Sequence, residues 1–404
     1  HSVSKLLTTE YPNVATVKCS SHLIHLVASY AAFKLSKGLE DLCRDIFNHF
    51  HRSSKRQDVY QQFQKFFNLE PYKILSPGQT RWLSLEACVN RILEQFQALQ
   101  HYFVLVANED PTHGNDRILK SLNNKFTLAY LEFLSYQLQR LNAFNRLFQS
   151  ERPCLHNLKG EIEGLLKSIA SDFLDIQYVK TTAAKSIGPT NYEHHVPLKH
   201  VYLGLGASAT RQEIEVGVRN EDVQLFKNDC KNFLIESVVQ IQNRSDSDSE
   251  VLSIVECISP QKASARMPSS LSSIVTKLPY LRELDPHQLD LEWREHSLEE
   301  KVSQDLHWDE YWNAIRNRKR PTGEKKYLTL LKFVEILASL PFSNAAVERT
   351  FSLLKLIKTS HRSSLKSSSL VSLFQCKMKM KNSDVSAARL VPSERVLKFA
   401  SKMK

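Results

Sequence analysis

Glu348 is the residue of this chain whose setting most suggests chemistry. In the run 340–354, Val347, Phe351 and Leu354 recur at helical spacing. Glu348 falls about 100° away from that apolar stripe, so its carboxylate is predicted to be exposed. An exposed carboxylate helps to hold a divalent cation where further carboxylates join it. Without them, the run is an ordinary packing helix with one exposed acid.

The neighbouring residues Arg81 and Trp82 have the types that hold unpaired nucleic-acid bases. An indole ring stacks on a base, and a guanidinium binds phosphate through two parallel hydrogen bonds. A core tryptophan with an arginine alongside it explains the pair equally well at this stage.

Cys19 and His22 lie three residues apart, so they share one face of a helix and have the types that bind metals. A structural zinc site needs two more ligands at similar spacing. The seven cysteines and fifteen histidines include no second pair of that kind. The sequence therefore predicts no metal site at this position.

The net charge of +11 is concentrated near the C-terminal end. From residue 355 onward there are twelve Lys or Arg and two acids, a balance that attracts phosphate backbones without sequence preference. Lys377, Lys379 and Lys381 are the candidate nucleic-acid contacts. A second cluster, from Arg316 to Arg320, is either a nuclear import patch or another phosphate contact. Solvated basic surface is the alternative for both clusters.

Helical periodicity dominates the elements that position these residues. Apolar residues repeat at the i, i+3, i+4 and i+7 positions, and only ten glycines occur in the chain. The pattern predicts helices over 122–148, 155–173, 220–242 and 306–316, with a short buried strand over 14–17. Loops are predicted over 186–207, 243–249 and 259–273.

Composition favours an intracellular protein. The seven scattered cysteines do not form a disulfide framework. No apolar run approaches the length of about 18 residues that spans a membrane, and the first residues lack the layout of a signal peptide. We expect no membrane partner.

The run around Glu348 resembles the signature of the hAT superfamily of DNA transposases and their domesticated descendants. The similarity continues through Ile357, Lys358, Arg362 and Leu365. The Cys-x-x-His and Arg-Trp motifs stand in the order that the family has. The resemblance implies that Glu348 is the last acid of a catalytic DDE triad and that the C-terminal region pairs two subunits. The residues expected to mediate dimerisation are Phe351, Leu354, Leu370, Leu373 and Phe374.

The same resemblance implies roles for the other two motifs. Arg81 and Trp82 are similar to a pair that holds a base flipped out beside the cleavage site. Cys19 and His22 are similar to a motif that packs close to the active site, with His25 standing where the family usually has Asn.

The fold that the resemblance implies is mainly α. It is a remnant of an RNase H-like α/β fold, interrupted by a large helical insertion and closed by the hAT dimerisation helices. Residues 1–84 are the expected partial RNase H-like region, lacking its first strands and both catalytic Asp residues. Residues 85–320 are the expected helical insertion domain. Residues 321–404 are the expected dimerisation region, which returns to the RNase H-like core.

Function follows from the acids that match the triad. DDE chemistry resembles two-metal catalysis, which needs several carboxylates around two Mg²⁺ ions. Asp41, Asp45 and Asp58 all follow the Cys-x-x-His motif, so none matches either family Asp, and only Glu348 remains. We expect a catalytically inactive nuclear protein that self-associates and binds DNA without a cofactor. Mg²⁺ or Mn²⁺ is expected only with a complete triad. The alternative is the C-terminal fragment of an active DDE-type transposase whose N-terminal half supplies both Asp residues.

Overall fold

The structure is a computed structural model. It describes residues 3–11, 18–35, 38–77, 82–149, 155–215, 217–245, 249–299, 302–341, 343–359 and 362–382, together with residues 389 and 394. The chain forms two compact units, residues 1–343 and residues 344–404.

Helices make up almost all the regular structure of the described residues. In the first unit they are α1 Val3–Glu10, α2 Ser20–Ala32, α3 Leu39–Phe50, α4 Ser54–Phe66, α5 Trp82–Glu94, α6 Phe96–Glu109, α7 His113–Asn123, α8 Thr127–Phe148, α9 Leu155–Ala170, α10 Ile176–Thr181, α11 Leu205–Glu215, α12 Asn220–Arg244, α13 Glu250–Val255, α14 Pro260–Ser264, α15 Ser272–Lys277, α16 Pro286–His296, α17 Trp308–Arg316 and α18 Leu328–Ala338. In the second unit they are α19 Ala345–Ile357 and α20 Ser367–Asn382.

Two long helices, α8 and α12, form the centre of the first unit. Helix α8 packs against α2, α5 and α11, and α12 packs against α2 and α9. Phe133 on α8 and Phe233 on α12 are buried with ring centroids 5.3 Å apart, and the rings of Tyr130 and Phe226 lie 4.7 Å apart. Each such buried ring stabilises the fold by about 1.5–3 kcal/mol.

The predicted single helix over 122–148 is wrong, because the chain breaks between α7 and α8. Asn124 has an extended backbone, with ψ at 122°. Its side-chain oxygen accepts a hydrogen bond from the Phe126 N–H at 3.0 Å, and the Thr127 hydroxyl donates to the Ser121 carbonyl at 2.7 Å. These local bonds replace the helical ones at the break.

The last part of the first unit is held by buried indole rings and a buried carboxylate. The indole N–H of Trp293 donates to the Pro268 carbonyl at 2.8 Å, and that of Trp312 donates to the Ile258 carbonyl at 2.9 Å. Glu292, at 2% exposure, accepts from the backbone N–H of Leu330 at 2.7 Å. This bond satisfies one of the free amides at the start of α18 and fixes α16 against it.

The remaining predicted elements have mixed outcomes. Helices are confirmed in the regions predicted over 155–173, 220–242 and 306–316. The predicted loop over 259–273 is partly wrong, because α14 lies within it. The predicted loop over 186–207 holds two 3-10 turns and the first residues of α11. Most of the predicted loop over 243–249 has no described helix, although α12 reaches Arg244; residues 246–248 lie outside the description.

The mainly α prediction is confirmed. In the described ranges the only β pairing is two isolated antiparallel bridges, and no helix there is long and apolar enough to cross a membrane. The strand predicted over 14–17 lies outside the described residues. The RNase H-like remnant and the three domain boundaries therefore stay predictions.

Candidate self-association surface and nucleic-acid contacts

In the described part of the second unit, two helices, α19 and α20, contact each other. Leu354, Leu370 and Phe374 are half-buried, and Ile357 is 3% exposed. Ile357 is the single buried side chain among the described residues of this unit. Helices gain most of their stability from tertiary packing. Among the described residues, α19 and α20 fully bury one side chain, so their contact with each other provides little such packing.

Five large apolar side chains on these two helices are exposed. Val347 and Phe351, at 53% and 60% exposure, are neighbours four residues apart on α19, beside half-buried Leu354. The full set is Val347, Phe351, Leu356, Val371 and Leu373. Exposed apolar side chains grouped on neighbouring helices are typical of a protein–protein interface.

The residues predicted to mediate dimerisation fall into two groups. Phe351 and Leu373 are exposed, whereas Leu354, Leu370 and Phe374 are half-buried. Their contribution to self-association stays a prediction. The sequence pattern missed Leu356 and Val371, because each lies off the stripe of its helix; only their apolar type signals them.

Glu348 lies in the first turn of α19 and is exposed, as its position on the helix predicted. A carboxylate there interacts favourably with the free amides at the helix N-terminus. In the described part of the chain, no group of three or more His, Cys, Asp or Glu is placed to hold a metal ion. The vestigial catalytic role assigned to Glu348 stays a prediction.

Cys19 immediately precedes α2, and His22 lies in its first turn. His22 is exposed, and its ring stacks with that of His25 at a centroid distance of 6.2 Å. Burial and the neighbouring His22 lower the pKa of His25. Helix α2 itself packs against α8 and α12, so the motif lies at the edge of the central helices.

The Arg-Trp pair is only partly described. Arg81 lies outside the described residues, and the description of Trp82 is limited to its backbone at the start of α5. Helix α5 buries Leu85, Val89 and Ile92 and packs against α8. The roles of Arg81 and Trp82 in binding DNA stay predictions.

The basic segment, residues 355–404, begins on the same two helices. Between Arg349 and Asn382 the chain contains eight Lys or Arg and no acid. Lys377 and Lys379 on α20 are exposed, and the side chain of Lys381 lies outside the description. None of the ion pairs found among the described residues involves Lys377 or Lys379. Their charge is therefore available to an anionic partner.

The C-terminal part of the chain is similar to a known protein family. Residues 293–379 match the family model for the hAT family C-terminal dimerisation region. We call this matched range the hAT dimerisation region. This match supports an hAT-family, transposase-derived protein, as the resemblance around Glu348 predicted. A search of curated proteins found no match.

The hAT dimerisation region begins at the end of α16 and includes α17, α18, α19 and most of α20. It contains Glu348, Lys377, Lys379 and all five residues predicted to mediate dimerisation. Cys19, His22, Arg81, Trp82 and Lys381 lie outside it. Self-association is thus the function that the matched region supports.

Proposed function

We propose that this protein is a nuclear, hAT transposase-derived protein that dimerises through α19 and α20 and binds DNA through the basic segment. In this proposal the 404 residues catalyse neither cleavage nor strand transfer on their own. The observation that carries the proposal is the coincidence, inside the hAT dimerisation region, of exposed apolar side chains and unbalanced positive charge.

Charge supports DNA as the second partner. Lys is a compact, strongly hydrated cation suited to phosphate, and a segment of one sign gains affinity by releasing counterions from DNA. Contacts of this kind carry no base specificity. Binding is therefore expected on duplexes of unrelated sequence, and it weakens as salt rises.

The DNA contact is testable through its salt dependence. Replacing Lys377, Lys379 and Lys381 together by Gln should lower the slope of log K against log salt by about 2 to 3, roughly 0.9 for each lost phosphate contact. Fluorescence anisotropy on two duplexes of unrelated sequence measures that slope.

The matched control replaces Arg52, Lys55 and Lys65 by Gln, which removes the same charge from exposed positions around α4. Its slope should stay within error of that of the unchanged protein. Equal losses in both variants would mean that net charge, rather than α20, governs binding. Sedimentation of both variants checks that self-association is intact.

Catalytic inactivity is a separate prediction. We expect no cutting or joining of DNA by the purified chain with Mg²⁺ or Mn²⁺, because Glu348 alone neither fixes two ions nor stabilises the charge of the transition state. Glu348→Gln should leave DNA affinity close to unchanged. Metal-dependent cutting that is lost in Glu348→Gln would show that further carboxylates complete the site.

The second candidate is an active DDE-type transposase of which these residues form the C-terminal part. The exposed position of Glu348 at the start of α19 favours it, since a catalytic acid must reach the metal ions. A longer transcript with two acids at the family positions before α1 would support this candidate, and Mg²⁺ or Mn²⁺ would then be its cofactor.

A further inference from the structure

A short, basic β-ribbon connects α17 to α18. Lys319 and Lys325 face each other in an antiparallel bridge. The N–H of Arg320 donates to the Glu324 carbonyl at 2.8 Å, and the N–H of Lys326 donates to the Arg318 carbonyl at 3.0 Å. The turn contains Gly323 with φ at +88°, a conformation that glycine adopts without steric cost. We call residues 316–326 the basic ribbon.

One side of the basic ribbon is anchored to the rest of the first unit by Glu299. The Glu299 carboxylate lies 3.1 Å from the Lys326 ammonium and 3.5 Å from the Arg318 guanidinium, and it accepts a hydrogen bond from the Tyr327 hydroxyl at 2.7 Å. Burial alone raises the pKa of Glu299, but hydrogen bonds from Tyr327 and Lys326 outweigh it and lower that pKa. Glu299 is therefore ionised and holds both strands at the base of the ribbon.

A second ion pair anchors the start of the ribbon. The guanidinium of Arg316 lies 2.8 Å from the Glu335 carboxylate on α18. Three of the six cations of the basic ribbon, Arg316, Arg318 and Lys326, are thus paired with two acids of the same unit, Glu299 and Glu335. Their role is to hold the ribbon in place.

The other three cations, Lys319, Arg320 and Lys325, are exposed. None of them takes part in an ion pair found among the described residues. Glu324, the one acid of the ribbon, is exposed in the turn and leaves an excess of positive charge there. Like charges directly opposite each other in an antiparallel pair repel, so the bridge between Lys319 and Lys325 is electrostatically unfavourable. An anion bound between the two ammonium groups would remove that cost.

We propose that the basic ribbon is a second binding site for the phosphate backbone of nucleic acid, formed by Lys319, Arg320 and Lys325. A polyanion places several negative charges in a row, so it can contact all three neighbouring cations at once, whereas a single small anion cannot. Arg320 adds a planar guanidinium that binds phosphate through two hydrogen bonds. The inference rests on the proposed DNA binding, but the site lies in the first unit and is independent of Lys377 and Lys379 on α20.

The test replaces Lys319, Arg320 and Lys325 together by Gln in the full chain and measures duplex DNA binding by fluorescence anisotropy. We expect the slope of log K against log salt to fall by about 2 to 3. The variant with Arg52, Lys55 and Lys65 replaced by Gln is the matched control, and it should keep the original slope. Lys319→Arg together with Lys325→Arg preserves the charges and should keep the DNA affinity and salt slope of the unchanged protein.

Lys325→Glu separates binding from folding, because only the DNA affinity is expected to fall. It turns a repulsive pair into an attractive one, so the thermal midpoint should stay the same or rise, whereas DNA affinity should fall. An unchanged salt slope in the triple Gln variant overturns the proposal, and so does a loss of affinity no larger than in the control. If only the α20 variant loses DNA binding, the proposed function stands and the ribbon site is excluded. If the unchanged protein does not bind DNA at all, both are excluded.

Discussion

Phe351→Asp is expected to sediment as a monomer under conditions in which the unchanged protein sediments as a dimer. Phe351 is 60% exposed on α19, inside the hAT dimerisation region, and its ring must be covered by the partner if that helix lies in the interface. Removing a central aromatic side chain from an interface costs about 2–4 kcal/mol, which corresponds to roughly a 30- to 1,000-fold rise in Kd. A buried carboxylate without a partner adds to that cost.

Sedimentation velocity across a dilution series measures this change. At about 50 µM, a Kd near 1 µM would leave most of the unchanged protein associated. The matched control is Phe66→Asp, because Phe66 is 78% exposed on a helix of the first unit outside the hAT dimerisation region. A monomeric unchanged protein at that concentration would remove the claim, and equal dissociation in both variants would place the interface elsewhere.

Salt is expected to change self-association and DNA binding in opposite directions. If two copies pair through α19 and α20, each brings the basic segment to the interface, so like charges would oppose the association that the apolar side chains favour. Added salt screens this repulsion and is expected to strengthen self-association. The same salt weakens DNA binding, because it reduces the free energy gained by releasing counterions from the DNA. One salt titration followed by both sedimentation and anisotropy therefore distinguishes apolar association from association bridged by nucleic acid.

The sequence predicted local features of the C-terminal region well and long-range ones poorly. The positions of Val347, Phe351 and Glu348 on one helix follow from a repeat of 3.6 residues, which needs no knowledge of the rest of the chain. The anchoring of Arg318 and Lys326 by Glu299 depends on contacts of 19 and 27 residues in sequence separation. The basic cluster was visible, but its ribbon was not.

The break between α7 and α8 shows a different limit. Apolar spacing continues through the break, so periodicity predicted one helix over 122–148. Asn123 and Asn124 were the available signal, because asparagine competes with the helix for backbone hydrogen bonds. The Arg-Trp pair shows a third limit: its stacking or core role depends on side-chain surroundings that spacing cannot supply.

Acidification is expected to destabilise the protein through three buried histidines. Burial lowers the pKa of His49, His156 and His296 to about 4 in each case, with nearby Arg56 and Arg266 adding to the effect at His49 and His296 respectively. Their exposed fractions are 7%, 6% and 1%. A histidine in the unfolded chain has its ordinary pKa of about 6.5, so between pH 6.5 and pH 4 the unfolded state binds more protons. Stability from these rings is complete above pH 6.5 and is lost as pH falls toward 4.

The size of the loss is large relative to the stability of a domain. A shift of this size removes about 2 kcal/mol for each ring between pH 8 and pH 5, and a native domain has only about 5–15 kcal/mol in total. Urea unfolding at a series of pH values measures the change. His156→Phe keeps an aromatic ring beside Trp308, whose ring centroid lies 5.8 Å from that of His156, and cannot be protonated. It should therefore reduce the acid-induced loss by about 2 kcal/mol at pH 5.

The matched control for His156→Phe is His287→Phe, because His287 is exposed on α16. The control should show the same pH dependence as the unchanged protein. If His156→Phe loses as much stability on acidification as the control does, then His156 is protonated in the folded protein at little cost. Its burial against Trp308 would then leave room for water at the ring, and the acid sensitivity would have to come from His49 and His296 alone.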